Sequence, residues 1–273
     1  MFINLFYLFL LNCALAIDIN QLNISVWLSG ATYCNKENYM SMILDGPAKG
    51  FIYKYTLYDI KTDLQGYIGI LPSSKSIYIV FRGSSSKLNW LDDFEIKKVP
   101  YNTFSECNCT VHYGFYRSAL GVKNQTIFNI NLLKKLYPLY NIIVSGHSYG
   151  AAISQLIAME LYKEDFISSI YNYGQPRVGD QAYAMFVNKQ IHNNWRMTHN
   201  KDIVPHVPPI IWFNYSHSCR EIFQDSYDNL NICSDTNCED PTCTNQYNLI
   251  QTNGDEHLYY LGHYLSCNSS TLN

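Results

Sequence analysis

Two uninterrupted apolar runs rich in β-branched residues, 76–81 (Ser-Ile-Tyr-Ile-Val-Phe) and 141–145 (Asn-Ile-Ile-Val-Ser), limit what this chain can fold into. Each is closed by a glycine, the first at Arg82-Gly83 and the second at Gly146. Short runs without polar alternation predict strands buried on both faces, the habit of parallel sheets. Between them, 113–137 carries apolar residues at helical intervals and stops before Pro138. It predicts a crossover helix, and the three pieces together predict a βαβ unit. Downstream the alternation continues with a helix at 151–162, a strand at 169–173, a helix at 181–188 and a strand at 195–198. The expected class is therefore α/β, a central mostly parallel sheet with helices on both faces. The stretch 214–253 is polar, Cys-rich and aperiodic, and reads as a disulfide-pinned loop. With no internal repeat and no linker, we expect a single domain over 17–273.

Composition narrows the function. A chain that is 47% hydrophobic and 15% charged can build a core, which excludes disorder. Its 19 basic and 22 acidic residues give a net charge of −3 without a basic stripe, so no nucleic-acid partner is expected. Residues 1–16 form an apolar run ending Ala14-Leu15-Ala16. That is the small-x-small pattern of a signal peptide cleaved after Ala16, and the run falls short of the roughly 20 residues that span a bilayer. No Lys or Arg precedes it, which leaves an uncleaved anchor as the alternative. Beyond Cys13, the cysteines are Cys34, Cys107, Cys109, Cys219, Cys233, Cys238, Cys243 and Cys267. An even set in an exported chain predicts disulfides and a secreted protein. A zinc reading of Cys233, Cys238 and Cys243 lacks a tight Cys-x-x-Cys pair. Sequons at Asn23, Asn108, Asn124, Asn214 and Asn268 suit a secreted glycoprotein.

The chemistry begins where the second strand ends, at Gly146-His147-Ser148-Tyr149-Gly150. Gly-x-Ser-x-Gly alone is weak evidence, but between a buried strand and a helix it predicts a tight turn that presents the Ser148 hydroxyl at the sheet's carboxyl end. The Tyr149 amide then opens a helix, whose N-terminal charge favours an oxyanion. A serine needs a neutral imidazole to take its proton and an acid to hold that imidazole. Asp202, after a predicted strand and before Pro205, Pro208 and Pro209, is the candidate acid. His257 and His263 are both candidates for the base, and their order in the chain does not choose between them.

Six motifs in order now carry a resemblance: Val80-Phe-Arg-Gly-Ser-Ser-Ser86 with Asn89-Trp90, Val111-His-Tyr-Gly-Phe115, Gly146-His-Ser-Tyr-Gly150, Tyr173-Gly-Gln-Pro-Arg-Val-Gly-Asp180, Asp202-Ile-Val-Pro205 and His257-Leu-Tyr-Tyr-Leu-Gly262. From about Cys34 to Cys267 the chain resembles the secreted fungal-type class 3 lipases of the α/β-hydrolase superfamily. The resemblance implies Ser148 as nucleophile, Asp202 as acid and His257, rather than His263, as base. It also implies Ser84 as the oxyanion donor beside Tyr149, Asp93 as the group orienting Ser84, and pairing of Cys34 with Cys267. The chain departs from the family's usual pattern at Tyr149, where Leu is commoner, and a phenol there narrows or polarises the acyl pocket. The Cys-rich stretch from Cys219 is also heavier than usual, and Cys107 with Cys109 would make one small local bridge.

Family lipases carry an amphipathic lid in the segment at 85–95. Here Leu88, Trp90, Leu91 and Phe94 share one helical side, and Asn89, Asp92 and Asp93 the other. That favours a triacylglycerol lipase working at a lipid–water interface. The alternatives are an esterase of soluble esters of the feruloyl-esterase kind, a phospholipase A1, or a non-catalytic binding protein on the same scaffold. His112 and Arg177 read as structural. No metal triad or nucleotide motif appears, so neither cofactor nor metal is expected, and nothing demands more than a monomer.

Overall fold

The computed structural model describes residues 17–84, 96–236 and 238–267. The expected leader, the lid residues Leu88, Trp90, Leu91 and Phe94, and Asn89, Asp92, Asp93 and Asn268 lie outside the described residues.

In chain order the main elements are α1 (Ile19–Ala31), β1 (Ile52–Asp59), β2 (Leu64–Leu71), β3 (Ser76–Phe81), β4 (Lys98–Pro100), β5 (Thr110–His112), α2 (Tyr113–Leu136), β6 (Asn141–His147), α3 (Tyr149–Lys163), β7 (Ser168–Tyr173), α4 (Gln181–Gln190), β8 (Asn194–His199), β9 (Glu221–Gln224) and β10 (Leu230–Ile232). Short pairings, β11 (Tyr259–Tyr260) and β12 (His263–Tyr264), close the chain. Eight strands form one sheet in the order β1-β2-β3-β6-β7-β8-β9-β10. The run β3, β6, β7, β8, β9 is parallel, and β1, β2 and β10 add antiparallel edges.

Side chains alternate along each strand, so the continuous apolar runs feed two cores. In β3, Ile77, Ile79 and Phe81 meet α2 and α3, while Tyr78 and Val80 turn to the face covered by α1. The helix on that second face, α1, is absent from the sequence reading. Its sequence INQLNISVWLSGA is buried over most of its circumference, so no polar stripe marks the helical period. One of its buried polar positions is paired across the core, where the Ser29 and Ser145 hydroxyls meet at 3.0 Å.

One expectation is corrected. The stretch 214–253 is not only loop, because β9 and β10 extend the sheet from within it. The strand was hidden by buried polar residues. Glu221 lies beside Arg196 in the parallel register, and the two form an ion pair at 2.7 Å with side chains 2% and 1% exposed. The segment is also pinned as expected, by disulfides joining Cys219 to Cys238 and Cys233 to Cys243. The bonded sulfurs remove the zinc reading. Cys107 pairs with Cys109, and Cys34 at the end of α1 pairs with Cys267.

Register brings the site together. Phe81 stands beside Gly146, and His147 beside Tyr173, so β3, β6, β7 and β8 deliver Ser84, Ser148, Gly174 and Asp202 to one edge. The carboxyl ends of parallel strands are where α/β folds place their ligands.

Candidate active site

Ser148 occupies the single residue between β6 and α3, at φ 58° and ψ −128°. A side chain at positive φ is strained. The neighbours hold it there: its amide donates to the Tyr173 carbonyl at 2.9 Å, and α3 packs hard on the sheet behind it. A Cβ on Gly150 would come within 2.3 Å of the Phe81 carbonyl oxygen, so only glycine allows that approach. Ala151 and Ala152 are fully buried in the same contact. The Tyr149 and Gly150 amides lie at the start of α3, ahead of the first bonds that Ala151 and Ala152 make to the Ser148 carbonyl, and carry the positive end of the helix.

Asp202 is fully buried. Its Oδ1 accepts from the Val204 amide at 2.9 Å, and its Oδ2 accepts from His257 Nδ1 at 2.8 Å and from the Tyr260 hydroxyl at 2.5 Å. Burial alone would raise its pKa, but the neighbouring His257 and these three donors outweigh it and hold the carboxyl below its ordinary range. A carboxylate only accepts, so Nδ1 of His257 carries the proton. In the form that acts as a base, Nε2 then presents the lone pair. Among the described residues Nε2 is buried without a hydrogen bond, which leaves that nitrogen open to accept a proton.

Two features tie this pair to the serine turn. The His147 ring lies 4.3 Å from that of His257, and its Nε2 donates to the His257 carbonyl at 2.7 Å. Nδ1 of His147 then accepts from the Tyr33 hydroxyl at 2.5 Å. Burial, followed by the neighbouring His257, pushes the His147 pKa well down, so the ring stays neutral. Gly174 is the second feature. At φ 54°, a Cβ there would lie 2.8 Å from His257 Cε1 and 3.0 Å from Asp202 Oδ2. His263 is elsewhere, stacked on Trp27 of α1 with centroids 4.6 Å apart.

Ser84 and Tyr149 line one cavity of about 270 Å³ with Thr62, Asp63, Leu64, Arg82 and Gly83. The Tyr149 ring packs edge-on against Phe115 at 5.5 Å, and its hydroxyl bonds Ser118 of α2. The phenol is thus held against α2 by its ring and by its hydroxyl.

The structure thus brings Ser148, His257 and Asp202 to one strand edge, with Ser84 and Tyr149 on a shared wall. Residue reading missed Tyr260, His147 and Tyr33. Tyr260 stands three residues after His257, the one local hint of a shared partner. Arg177 is the anchor expected of it, bidentate to Glu239 at 2.8 and 2.9 Å and bonded to the His206 and Pro208 carbonyls. His112 caps α2 by accepting from the Phe115 amide at 3.2 Å.

Comparison with known proteins gives the family and the fold. The model of the family described as lipase (class 3) matches residues 78–212. A lipase from Rhizomucor miehei is 33% identical over 261 residues, which cover 90% of this chain and 69% of that protein. The chain belongs to the class 3 lipase family. A secreted mono- and diacylglycerol lipase from Fusarium solani is 33% identical over 165 residues, and the match spans about half of that protein, 49%. Among solved structures, the native Rhizomucor miehei lipase propeptide complex superposes with a TM-score of 0.84 at 31% identity, covering 91% of this chain and 82% of that one. A triacylglycerol lipase described as having a serine-protease triad gives 0.82 at 31% identity, covering 90% and 95%. As a class 3 lipase family member the chain has the α/β-hydrolase fold of an ester-cleaving enzyme.

Proposed function

We propose that this protein is a secreted triacylglycerol lipase in which Ser148 attacks the ester carbonyl while His257 takes its proton. The observation that carries the reading is the Asp202–His257 hydrogen bond of 2.8 Å with Nε2 buried and unpaired among the described residues, at the strand edge that also carries Ser148 at positive φ. Asp202 keeps the imidazole tautomer and stabilises the imidazolium formed in the transition state. His257 then returns the proton to the leaving alcohol, and water cleaves the acyl-enzyme by the same route. The amides of Tyr149 and Ser84 are the oxyanion donors, each worth about 3 kcal/mol.

A glycerol ester of fatty acids is the substrate favoured by the lipase relatives and by the apolar side of 85–95. The leader 1–16, one catalytic domain over 17–273, a monomeric state and Asp93 behind Ser84 complete the reading. Secretion is supported by the Fusarium relative's name and by four disulfides. The second reading, an esterase of soluble esters, is favoured by the polar pair Arg82 and Asp63, 3.2 Å apart on the wall shared with Ser84 and Tyr149.

Ser148→Ala is expected to abolish turnover and labelling by a serine-directed phosphonate. Asp202→Asn should lower kcat by on the order of 10⁴. Near-normal hydrolysis by Ser148→Ala refutes the assignment. Rate against tributyrin concentration separates the two substrate readings, since a jump at the solubility limit marks the lipase and smooth saturation the soluble-ester esterase.

A further inference from the structure

Around the acid loop the protein displays bulky apolar side chains that its fold does not use. Ile210, Ile211 and Trp212 are consecutive and 42%, 68% and 91% exposed, and Leu249 and Ile250 are 46% and 96% exposed. Single exposed apolar residues are ordinary, whereas clusters at loop tips mark contact surfaces.

Neither tip is slack chain. The first is closed by the Asn214 amide donating to the Ile210 carbonyl at 2.9 Å, and clamped by Lys98 Nζ donating to the Phe213 and Asn214 carbonyls at 2.7 and 3.2 Å. Trp212 stands at φ 70°, a conformation that glycine or asparagine would adopt with less strain. The turn therefore does not explain the tryptophan. The second tip is a capped turn in which the Asn248 side chain accepts from the Ile250 and Gln251 amides, and the Gln251 side chain accepts from the Asn248 amide.

Both tips are bolted to the acid loop. Arg177 holds the Pro208 carbonyl just before the first tip. Asn253, just after the second, exchanges backbone hydrogen bonds with Lys201 and Ile203 on either side of Asp202. His206, four residues beyond Asp202, contacts the Thr244 and Tyr247 carbonyls at 3.2 and 3.1 Å. Tyr215 also donates to the Ile96 carbonyl at 3.2 Å, where the chain emerges from 85–95.

We propose that Ile211, Trp212 and Ile250 form a lipid-surface anchor that seats the rim of the active site on a triacylglycerol droplet. This rests on the lipase reading and names a device for it outside the segment 85–95. The tips together expose on the order of a few hundred Å² of apolar surface, well below the roughly 800 Å² per partner of a stable protein interface. A fluid acyl layer needs no complementary shape, and tryptophan is suited to its boundary. The first tip has no charge of its own from Ile210 to Phe213, and the one lysine clamped to it faces backbone carbonyls, so a neutral lipid is the fitting occupant.

The test separates seating from chemistry. Partition onto a phosphatidylcholine-stabilised trioleoylglycerol emulsion is measured with Ser148→Ala protein, with and without Ile211→Ser plus Trp212→Ser, and separately with Ile250→Ser. Hydrolysis of a soluble short-chain p-nitrophenyl ester is measured in the same variants with Ser148 intact. The double change should cost at least about tenfold in partition and Ile250→Ser about threefold, with kcat/KM on the soluble ester unchanged. Trp212→Asn, which suits the φ of 70°, serves if the double variant fails to fold, and should cost about threefold. Unchanged partition overturns the anchor, as does a wild-type dimer in sedimentation that the double change dissolves while partition stays the same. Lack of turnover on every ester, with partition still dependent on Trp212, would instead undo the lipase reading and leave the anchor.

Discussion

At the catalytic acid, one carboxylate oxygen serves two donors. His257 Nδ1 and the Tyr260 hydroxyl both reach Asp202 Oδ2, while the Val204 amide takes Oδ1. These bonds keep a fully buried carboxyl ionised against its own burial. The hydroxyl of Tyr260 is driven the other way, since burial and then Asp202 raise its pKa well above the ordinary phenol value, so it remains a donor. Tyr260→Phe removes one hydrogen bond to a charged group, worth about 1.5–3 kcal/mol. We expect kcat to fall about tenfold or more with little change in KM. The acid limb of kcat/KM, which the Asp202–His257 pair sets together, should move to higher pH, because losing a donor leaves the carboxylate with more negative charge for its remaining partner. A pH–rate profile of the Phe variant checks both, and an unmoved acid limb would show that Tyr260 acts only as filler.

At the level of elements, β9 adds a buried ion pair to the apolar packing of Ile222 and Phe223. Arg196 donates from Nη2 to Glu221 at 2.7 Å and to the Cys238 carbonyl at 2.9 Å, and from Nε to the Ser218 carbonyl at 3.0 Å. Glu221 also accepts from Thr198 and the Thr244 amide. This one pair couples β8, β9 and the disulfide-pinned segment around the site. Removing one partner strands a buried charge, so Arg196→Met should destabilise by about 3–5 kcal/mol, read as a lower urea midpoint. Replacing both, Arg196→Met with Glu221→Leu, should recover much of the loss. If the double variant is no better than the single one, the pair's value lies in its backbone contacts.

Across the whole molecule, the two most strongly depressed histidines, His147 and His217, lead the response to acid, with His206 and His263 lowered less by their burial. Burial, chiefly, and then His257 for His147 and Arg196 for His217, push their pKa values well below the ordinary range. Each ring has a fixed role as a neutral donor, His147 Nε2 to the His257 carbonyl and His217 Nε2 to the Pro205 carbonyl. Below about pH 6.5 the unfolded chain binds protons that the folded one does not, so stability falls as pH drops, by about 1.4 kcal/mol per pH unit for each ring. Asp202 and Glu239 work in a lower window. Their pKa values are depressed in the fold, so their contribution is present above about pH 4 and lost beneath it. The urea midpoint should be flat above pH 7, decline from pH 6.5 and drop more steeply below pH 4. His217→Asn should flatten the middle stretch, and an unchanged slope would remove His217 from this account.

What the sequence determined by itself is what local chemistry can encode. Apolar runs with closing glycines marked β3 and β6, and Gly-His-Ser-Tyr-Gly between a strand and a helix marked Ser148, because each signal is complete within a dozen residues. Tertiary structure decided everything that depends on which distant groups share a space. His257 and His263 are six residues apart and equally plausible as bases in one dimension. Only the closing of the chain sets one on Asp202 and the other on Trp27. The helix α1 and the strand β9 were invisible because buried polar residues in each meet partners far along the chain, Ser145 for Ser29 and Arg196 for Glu221. A buried polar group looks like a loop until its partner is known, and pairing across distance is a property of the fold.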